Sequence, residues 1–351
     1  MPAHIAPPCV VLPGHAVTTD EIFADIRQAH AGLPRLEAML RIAGATTVRT
    51  RYFTRPLNAP TVAGNAPLEE RNRAAYADAL ALAADAARGA LARAGLRPQD
   101  VDALVTSHTT SWTVPSLDVH LIGVLGLRPD VRRHPLGTAG CVGAAQGVVR
   151  ASQDIAANPG ANVLVVTAEC LSAATYNHED SSLESMVYKV LFGDGAAAAV
   201  VSGRPAWDGP GFVVADTFEY LLPDSAERYR GRLNGAGLHF DSTRAATDSF
   251  NDSLPALRAW LRPQEDPLDF AVVHPGGPRI LDDAAAGLGL DEKALRHAWD
   301  SLAGNGNLGG SAVLDVLSRT FEDPPADGAR GLLIGFGPGF VLAAARGHWS
   351  S

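Results

Sequence analysis

Three side chains in this 351-residue sequence stand in settings where α/β proteins place reacting groups: Cys141, His274 and Asn307. Cys141 lies within Gly137-Thr138-Ala139-Gly140-Cys141-Val142-Gly143-Ala144-Ala145-Gln146-Gly147, followed by a helical pattern over 148–156. A thiol in a glycine-rich turn that opens a helix sits at the positive end of the helix dipole, which favours thiolate and lowers the sulfur's pKa. Small neighbours let a substrate carbonyl approach, and the turn's N–H groups can face an oxyanion. The plainer alternative is a small buried cysteine in a packed turn.

His274 opens His274-Pro275-Gly276-Gly277-Pro278 after a short apolar strand over 270–273. Asn307 lies in Gly304-Asn305-Gly306-Asn307-Leu308-Gly309-Gly310-Ser311, a second glycine-rich turn that opens a helix, with Asn305 as a nearby decoy. A lone histidine at a strand end is more often a satisfied loop residue, and an asparagine among glycines is by default a left-handed turn residue. Sites in open α/β sheets nevertheless gather at strand carboxyl ends, so Cys, His and Asn there form a catalytic set that awaits geometry. His178-Glu179-Asp180 lacks a second His or Cys at ligand spacing, so no metal site is expected. Glu169 ends an apolar strand and reads as a structural hydrogen-bonding group.

The elements that must position these residues alternate along the chain. Thr18-Thr19-Asp20-Glu21 opens a helix. A second helix over 34–43 carries Arg35 and Arg41, and 48–53 is extended. A Pro-, Asn- and Gly-rich loop over 56–67 precedes a long Ala-rich helix over 68–94. A strand over 101–106 runs into the polar loop His108-Thr109-Thr110-Ser111-Trp112-Thr113-Val114-Pro115. After a helix over 117–125, an edge strand over 131–135 leads to the Cys141 turn. The apolar run over 162–168 is a strand of a covered sheet, and Phe192-Gly193-Asp194-Gly195 turns into another over 196–201. The second half repeats the rhythm. An extended 211–220, an irregular 225–237 and a helix over 249–261 come first. The His274 strand, a helix over 279–288 and the Asn307 turn with its helix over 312–319 follow. A strand over 331–336 and the turn Gly337-Pro338-Gly339 into 340–344 complete it.

Composition narrows the function classes. At 46% apolar residues with 35 Gly, the chain suits a tightly packed α/β protein. A net charge of −9 without a basic block argues against nucleic acid. Three cysteines, Cys9, Cys141 and Cys170, with no CxxC pair argue against a disulfide framework or a cysteine zinc site. No signal-peptide pattern opens the sequence, and no apolar run approaches the ~18 residues of a membrane span. A soluble, cytoplasmic protein is expected, with no membrane partner.

Taken together, Gly140-Cys141, Asn162–Glu169, Leu191-Phe192-Gly193-Asp194-Gly195-Ala196-Ala197, Gly237-Leu238-His239-Phe240, His274 to Pro278, Gly306-Asn307 and Gly335-Phe336-Gly337-Pro338-Gly339 resemble a type III polyketide synthase of the bacterial branch. This is the chalcone synthase-like group of the thiolase-fold condensing enzymes. The resemblance covers nearly the whole chain. It implies an α/β thiolase-like fold of two duplicated αβαβα halves forming a five-layered core. Residues 1–215 would carry the nucleophilic Cys, and 216–351 the His and Asn. Cys141 would accept the starter acyl group and hold the growing chain, and His274 would pair with it to keep a thiolate. His274 and Asn307 would bind the malonyl thioester carbonyl and stabilise the enolate as CO2 leaves. The chemistry agrees: a decarboxylative Claisen condensation needs a soft nucleophile and donors aimed at the enolate oxygen, and His and Asn can both donate. The resemblance makes Phe192 the gatekeeper between CoA tunnel and cavity, with Phe240 its partner. It implies no cofactor, CoA thioesters as substrates, and a homodimer in which Val114 falls near the neighbouring subunit's cavity.

Departures from the family pattern point to specificity. Gly309-Gly310 replaces a Ser-Ser pair, and Ala174 stands where chalcone synthases often have Thr. Thr18 to Glu21, Leu68 to Asn72 and Pro278 to Asp283 resemble the tetrahydroxynaphthalene synthases, but those carry a Tyr where this chain has Gly231. The room at Gly231 favours an acyl-CoA starter and a pyrone or resorcinol type product. Arg35, Arg41 and Arg51 are the candidate cations for the CoA phosphates. The alternatives are a tetrahydroxynaphthalene synthase using malonyl-CoA alone, a ketoacyl-ACP synthase III-like enzyme, and a catalytically dead acyl-CoA-binding relative. The ketoacyl synthases usually have His-Gln-Ala-Asn where this chain has His274-Pro275-Gly276-Gly277.

Overall fold

The computed structural model describes residues 2–63, 65–262 and 267–351. From the N-terminus run β1 (Ala3–Ile5), β2 (Cys9–Val11), β3 (His15–Thr18), α1 (Thr19–Ala29), α2 (Leu36–Gly44), β4 (Thr50–Phe53), α3 (Pro60–Ala63), α4 (Leu68–Arg93), β5 (Ala103–His108), α5 (Leu117–Leu125), β6 (Arg132–Gly137), α6 (Gly143–Ala157), β7 (Asn162–Glu169), α7 (Leu171–Thr175), α8 (Leu183–Leu191) and β8 (Gly195–Ser202). Then come β9 (Gly211–Leu221), β10 (Tyr229–Asn234), β11 (Gly237–Ser242), α9 (Ser249–Leu261), β12 (Phe270–Val273), α10 (Pro278–Leu288), α11 (Arg296–Asn305), α12 (Ala312–Glu322), β13 (Arg330–Gly337) and β14 (Val341–Ser350).

The strands join in the order β12-β13-β14-β9-β1-β8-β7-β5-β6, with β2 on β8. The anticipated repetition is visible in the ladder. β5 and β7 are parallel and β8 is antiparallel to β7; β12 and β13 are parallel and β14 is antiparallel to β13. In each half a glycine-rich turn opens the helix that feeds the central strand: the Cys141 turn opens α6 before β7, and the Asn307 turn opens α12 before β13. α6 is sandwiched between β5 and β7 on one side and β13 and β14 on the other, with α12 beside it. The two turns therefore meet. α4 covers the outer face of β7 and β8, α9 packs on the far half, and the result is the layered α/β architecture of the thiolase-like fold.

Small residues make these layers close. A Cβ at Gly147 of α6 would lie 2.6 Å from Val165 of β7. Buried alanines of α4 (Ala79, Ala83, Ala86, Ala87) face Ala196 and Ala198 of β8 in one apolar cluster, while Ala197 and Ala199 point into the other core. α1 begins as read: Thr18 caps it and forms a reciprocal capping box with Glu21.

Several expectations need correction. The stretch 225–237, read as irregular, contains β10 and the turn into β11, an antiparallel hairpin in which Gly231 faces Phe240. The loop over 56–67, whose Gly64 lies outside the described residues, includes the helical turn α3. α8 and α11 were not anticipated. The 215/216 division between the halves lies within β9 and stands as an expectation. Among the described residues no helix is long and apolar enough to cross a membrane.

Arg71 ties the cavity wall together. Its guanidinium is buried and donates to the carbonyls of Ala173 (3.0 Å), Tyr176 (2.8 Å) and Ala236, joining α4 to α7 and to the hairpin turn. Burial lowers its pKa to about 10, which still leaves it charged at neutral pH. Arg71→Met would leave three interior acceptors without these donors, at a cost of about 3 kcal/mol or more. A thermal melt should therefore show a clearly lower midpoint; an unchanged midpoint would mean that the staple contributes nothing.

Candidate active site

Cys141 sits in a 3-10 turn, Gly140–Val142, that runs directly into α6, so the helix-opening position is observed. Gly140 is left-handed (φ 59°), and a Cβ there would lie 2.8 Å from Pro338 Cδ. Only glycine lets the Pro338 turn close over the cysteine turn. The Gly140 N–H donates to Thr109 Oγ1 (2.9 Å), which fixes the turn against the loop after β5.

Asn307 reaches the same place from the other half. Its N–H donates to Leu191 O (2.8 Å), and its carbonyl accepts from Gly193 N–H (3.1 Å), so the Asn307 turn is stapled to the Phe192 turn by backbone alone. The left-handed residues are Gly306 (φ 69°) and Gly309 (φ 59°), not Asn307. Gly309 N–H donates to Asn307 Oδ1 (2.9 Å), which leaves Nδ2 4.0 Å from Cys141 Sγ. Asn305 instead donates to Asp315 (2.9 Å), away from the sulfur.

His274 ends β12 with its N–H donating to Ile334 O on β13 (2.9 Å). The next residue of β13, Gly335, faces the Cys141 backbone: a Cβ there would lie 3.8 Å from Cys141 O. Topology thus brings all three residues to one corner. The charge state differs from expectation. His274 is buried, its Nδ1 has no partner, and desolvation lowers its pKa to about 4. Burial pushes the Cys141 thiol up to about 12; the Glu169 carboxylate adds to the rise, and the Asn307 contact opposes it. Among the described residues no hydrogen bond joins His274 to Cys141. Enclosure thus favours a neutral thiol and a neutral imidazole, the opposite direction to the lowered sulfur pKa read from the helix terminus.

Glu169 is the group whose importance the sequence understated. One carboxylate oxygen accepts from the N–H groups of Thr109 (3.0 Å) and Thr110 (3.1 Å), the structural role anticipated. The other, Oε1, is buried without a partner, and desolvation raises the carboxyl to about 8. Glu169 lines the Cys141 hollow with Thr109, Thr110, Phe192, Phe240 and Gly309. Since thiolate is the species that alkylates, the iodoacetamide rate at Cys141 should climb about tenfold per pH unit through neutrality rather than level off. Glu169→Gln should raise that rate above pH 8, where the carboxylate otherwise opposes the thiolate. A plateau below pH 7 would contradict the neutral pair.

The hollow around the sulfur holds only about 10 Å³, but Thr109 and Thr110 also line a cavity of about 630 Å³. That cavity is walled by Ala174, Leu238, Asn72, His108 and Ser111, among others. Phe192 and Phe240 meet edge to face at 5.6 Å. Two aromatics missed by sequence reasoning back them: Tyr188 stacks on Phe192 (5.1 Å) and Tyr229 on Phe240 (5.5 Å). The four-residue spacing of Tyr188 and Phe192 was the available signal.

The remaining candidates scatter. Gly231 is exposed and lines neither space, although a side chain there would contact Phe240 at 3.5 Å. Val114 is 82% exposed and lines neither space. Arg35 and Arg41 are exposed on the α2 segment, as a phosphate ligand requires. Arg51 is fully buried and donates to Val17 O (3.2 Å), Thr19 Oγ1 (2.8 Å) and Val190 O (2.5 Å), so it is a structural residue. Exposed Arg49, two residues earlier, is better placed for solvent-borne phosphate. Among the described residues no group of three or more His, Cys, Asp or Glu is arranged to hold a metal.

Residues 6–205 match the N-terminal domain of chalcone and stilbene synthases, and residues 213–345 match their C-terminal domain. The chain belongs to the chalcone and stilbene synthase family. It is an acyltransferase of the type III polyketide synthase class. A 1,3,6,8-tetrahydroxynaphthalene synthase of Streptomyces griseus is 32% identical over 99% of this chain and 93% of its own. A phloroglucinol synthase of Pseudomonas fluorescens is 30% identical over 98% of each. The germicidin synthase of Streptomyces coelicolor, described as a type III polyketide synthase, superposes with a TM-score of 0.93 at 31% identity, covering 99% of this chain and 100% of its own.

Proposed function

We propose that this type III polyketide synthase loads an acyl-CoA starter on Cys141, extends it by decarboxylative Claisen condensation with malonyl-CoA or a substituted malonyl-CoA, and closes the chain to a pyrone or resorcinol type product. Cys141 is the nucleophile. His274 and Asn307 donate to the enolate oxygen formed as CO2 leaves, so the electron pair needs no further cofactor. The observation that carries the reading is the Asn307 amide at 4.0 Å from Cys141 Sγ, in a hollow that adjoins a 630 Å³ cavity. The thioester would form where an amide donor already waits, and the chain would grow into the cavity. Because His274 rests neutral, it can take the thiol proton as the sulfur attacks, in place of a standing ion pair.

Phe192 and Phe240, with Tyr188 and Tyr229 behind them, form the gate between CoA and cavity. Ala174 and Gly309 enlarge the space, and Gly231 acts through Phe240. Arg35 and Arg41, with Arg49, receive the CoA phosphates. Exposed apolar Trp112 (77%) and Val114 (82%) are the surface through which two copies pair. Since CoA thioesters are intracellular metabolites, the proposed reaction is cytoplasmic.

The test is product analysis after incubation with a panel of acyl-CoAs plus malonyl-CoA, methylmalonyl-CoA or ethylmalonyl-CoA. A pyrone or resorcinol carrying the starter is expected. Likeness to the tetrahydroxynaphthalene synthases favours a second reading, malonyl-CoA as both starter and extender. Tetrahydroxynaphthalene from malonyl-CoA alone would establish that one instead. Dependence on acyl-ACP would point to ketoacyl synthase chemistry.

A further inference from the structure

The wall of the large cavity contains a second set of reacting groups, apart from Cys141, His274 and Asn307. His108 is the last residue of β5, and Ser111 stands three residues on. The parallel pairing of β5 with β7 sets His108 beside Ala168, and His108 Nδ1 lies 2.7 Å from Ala168 O. A carbonyl only accepts, so Nδ1 carries the hydrogen. In the neutral ring Nε2 is then a bare acceptor, and Ser111 Oγ lies 2.5 Å from it. The hydroxyl therefore donates to Nε2 and keeps its lone pairs free. Both residues line the 630 Å³ cavity, which also holds Thr109 and Thr110 of the cysteine hollow. Base, hydroxyl and a carbonyl that fixes the tautomer form a proton relay.

The surroundings decide between two uses of such a dyad. An acyl-accepting serine needs N–H donors for its oxyanion. Three of the N–H groups around Ser111 are already committed: Thr109 and Thr110 N–H serve Glu169, and Trp112 N–H serves Asn72 Oδ1 (2.7 Å). Proton transfer needs no oxyanion site. Burial also lowers the His108 pKa, which keeps the ring neutral and ready to accept.

We propose that Ser111 and His108 are the general base, and then the general acid, of a carbon–carbon ring closure in the poly-β-keto chain held on Cys141. This rests on the reading of Cys141 as the chain's anchor and goes beyond it by assigning the closing step. A methylene C–H between two carbonyls gives its proton to Ser111 Oγ while the Ser111 hydroxyl proton passes to His108 Nε2. The C–H electron pair stays on the chain as an enolate. The enolate carbon attacks a ketone carbonyl further along, forming the C–C bond and an alkoxide. The imidazolium then returns the proton through Ser111 to that alkoxide, so the relay ends as it began. Closure through oxygen is different: a poly-β-ketone enol is acidic enough to attack its own thioester unaided. A placed base matters for the carbocycle, not for the lactone.

The test uses full-length wild type, His108→Gln, Ser111→Ala and Ser111→Thr with a starter that acylates Cys141, plus malonyl-CoA. The readout is the carbocycle-to-lactone ratio by mass spectrometry, which is independent of total turnover. Wild type is expected to favour the carbocycle. His108→Gln and Ser111→Ala should each lower the ratio about 10²-fold, within the range of general acid–base effects, and Ser111→Thr should restore it. An unchanged ratio in Ser111→Ala, a lactone as the wild-type product, or an acyl adduct on Ser111 would overturn the proposal. If His108→Gln fails to fold, the Ser111→Ala and Ser111→Thr pair decides. A wild-type protein that forms no adduct on Cys141 would overturn the anchoring reading instead.

Discussion

Cys141→Ala is expected to form no acyl adduct with any CoA thioester and to lose turnover by about 10⁴-fold or more, the scale seen when a covalent nucleophile is removed. Intact-protein mass spectrometry reads the adduct, and CoA release reads turnover. Cys9→Ala is the control: the Cys9 sulfur packs against Gly89 of α4, where a Cβ would lie 2.2 Å from it, and it takes no part in either cavity. An adduct that survives in Cys141→Ala would move the nucleophile elsewhere. Cys170 would not be its natural home, because it is fully buried and lines neither cavity.

The contrast between the two views of Cys141 shows what a sequence conveys. Its place at a helix opening was legible because the turn is a contiguous run of small residues. Its protonation was not. A helix terminus is worth about 0.3–1 kcal/mol, less than one pKa unit at 1.36 kcal/mol per unit. Full burial can shift a group by up to about 3–5 units. The local signal points down and is outweighed by enclosure that pushes up, part of it from the distant β13 segment and the Asn307 turn. Arg51 failed for the same reason. It looks like any surface cation, but it satisfies Val17 O, 34 residues away, and Val190 O, 139 away.

The hairpin β10–β11 was hidden differently. Gly231, Gly235 and Gly237 break its alternation, and β10 is almost wholly exposed, so no apolar period marks it. The repeated halves were legible because each encodes its turn, helix and central strand in adjacent residues. The Ser111–His108 contact lay within four residues of sequence, yet only the neighbouring Ala168 carbonyl reveals the tautomer and hence the direction of proton transfer.

Loading and decarboxylation should separate at Asn307. Asn307→Ala is expected to keep the acyl adduct on Cys141 while slowing CO2 release from malonyl-CoA by about 10²–10³-fold, the effect of deleting one oxyanion donor. Asn307→Asp should be at least as slow, since an anion would then face the developing enolate. The structure also makes His274 a neutral donor, with its pKa lowered to about 4. A neutral amide can replace a neutral N–H but cannot take a thiol proton. His274→Gln should therefore decarboxylate malonyl-CoA about 10-fold faster than His274→Ala, while both load starter slowly. Equal decarboxylation in the two variants would mean that His274 does not donate to the enolate. Full-speed loading in both would mean that the Cys141 proton leaves by another path, and Glu169, with its unpartnered oxygen in the same hollow, is the group to which that result would point.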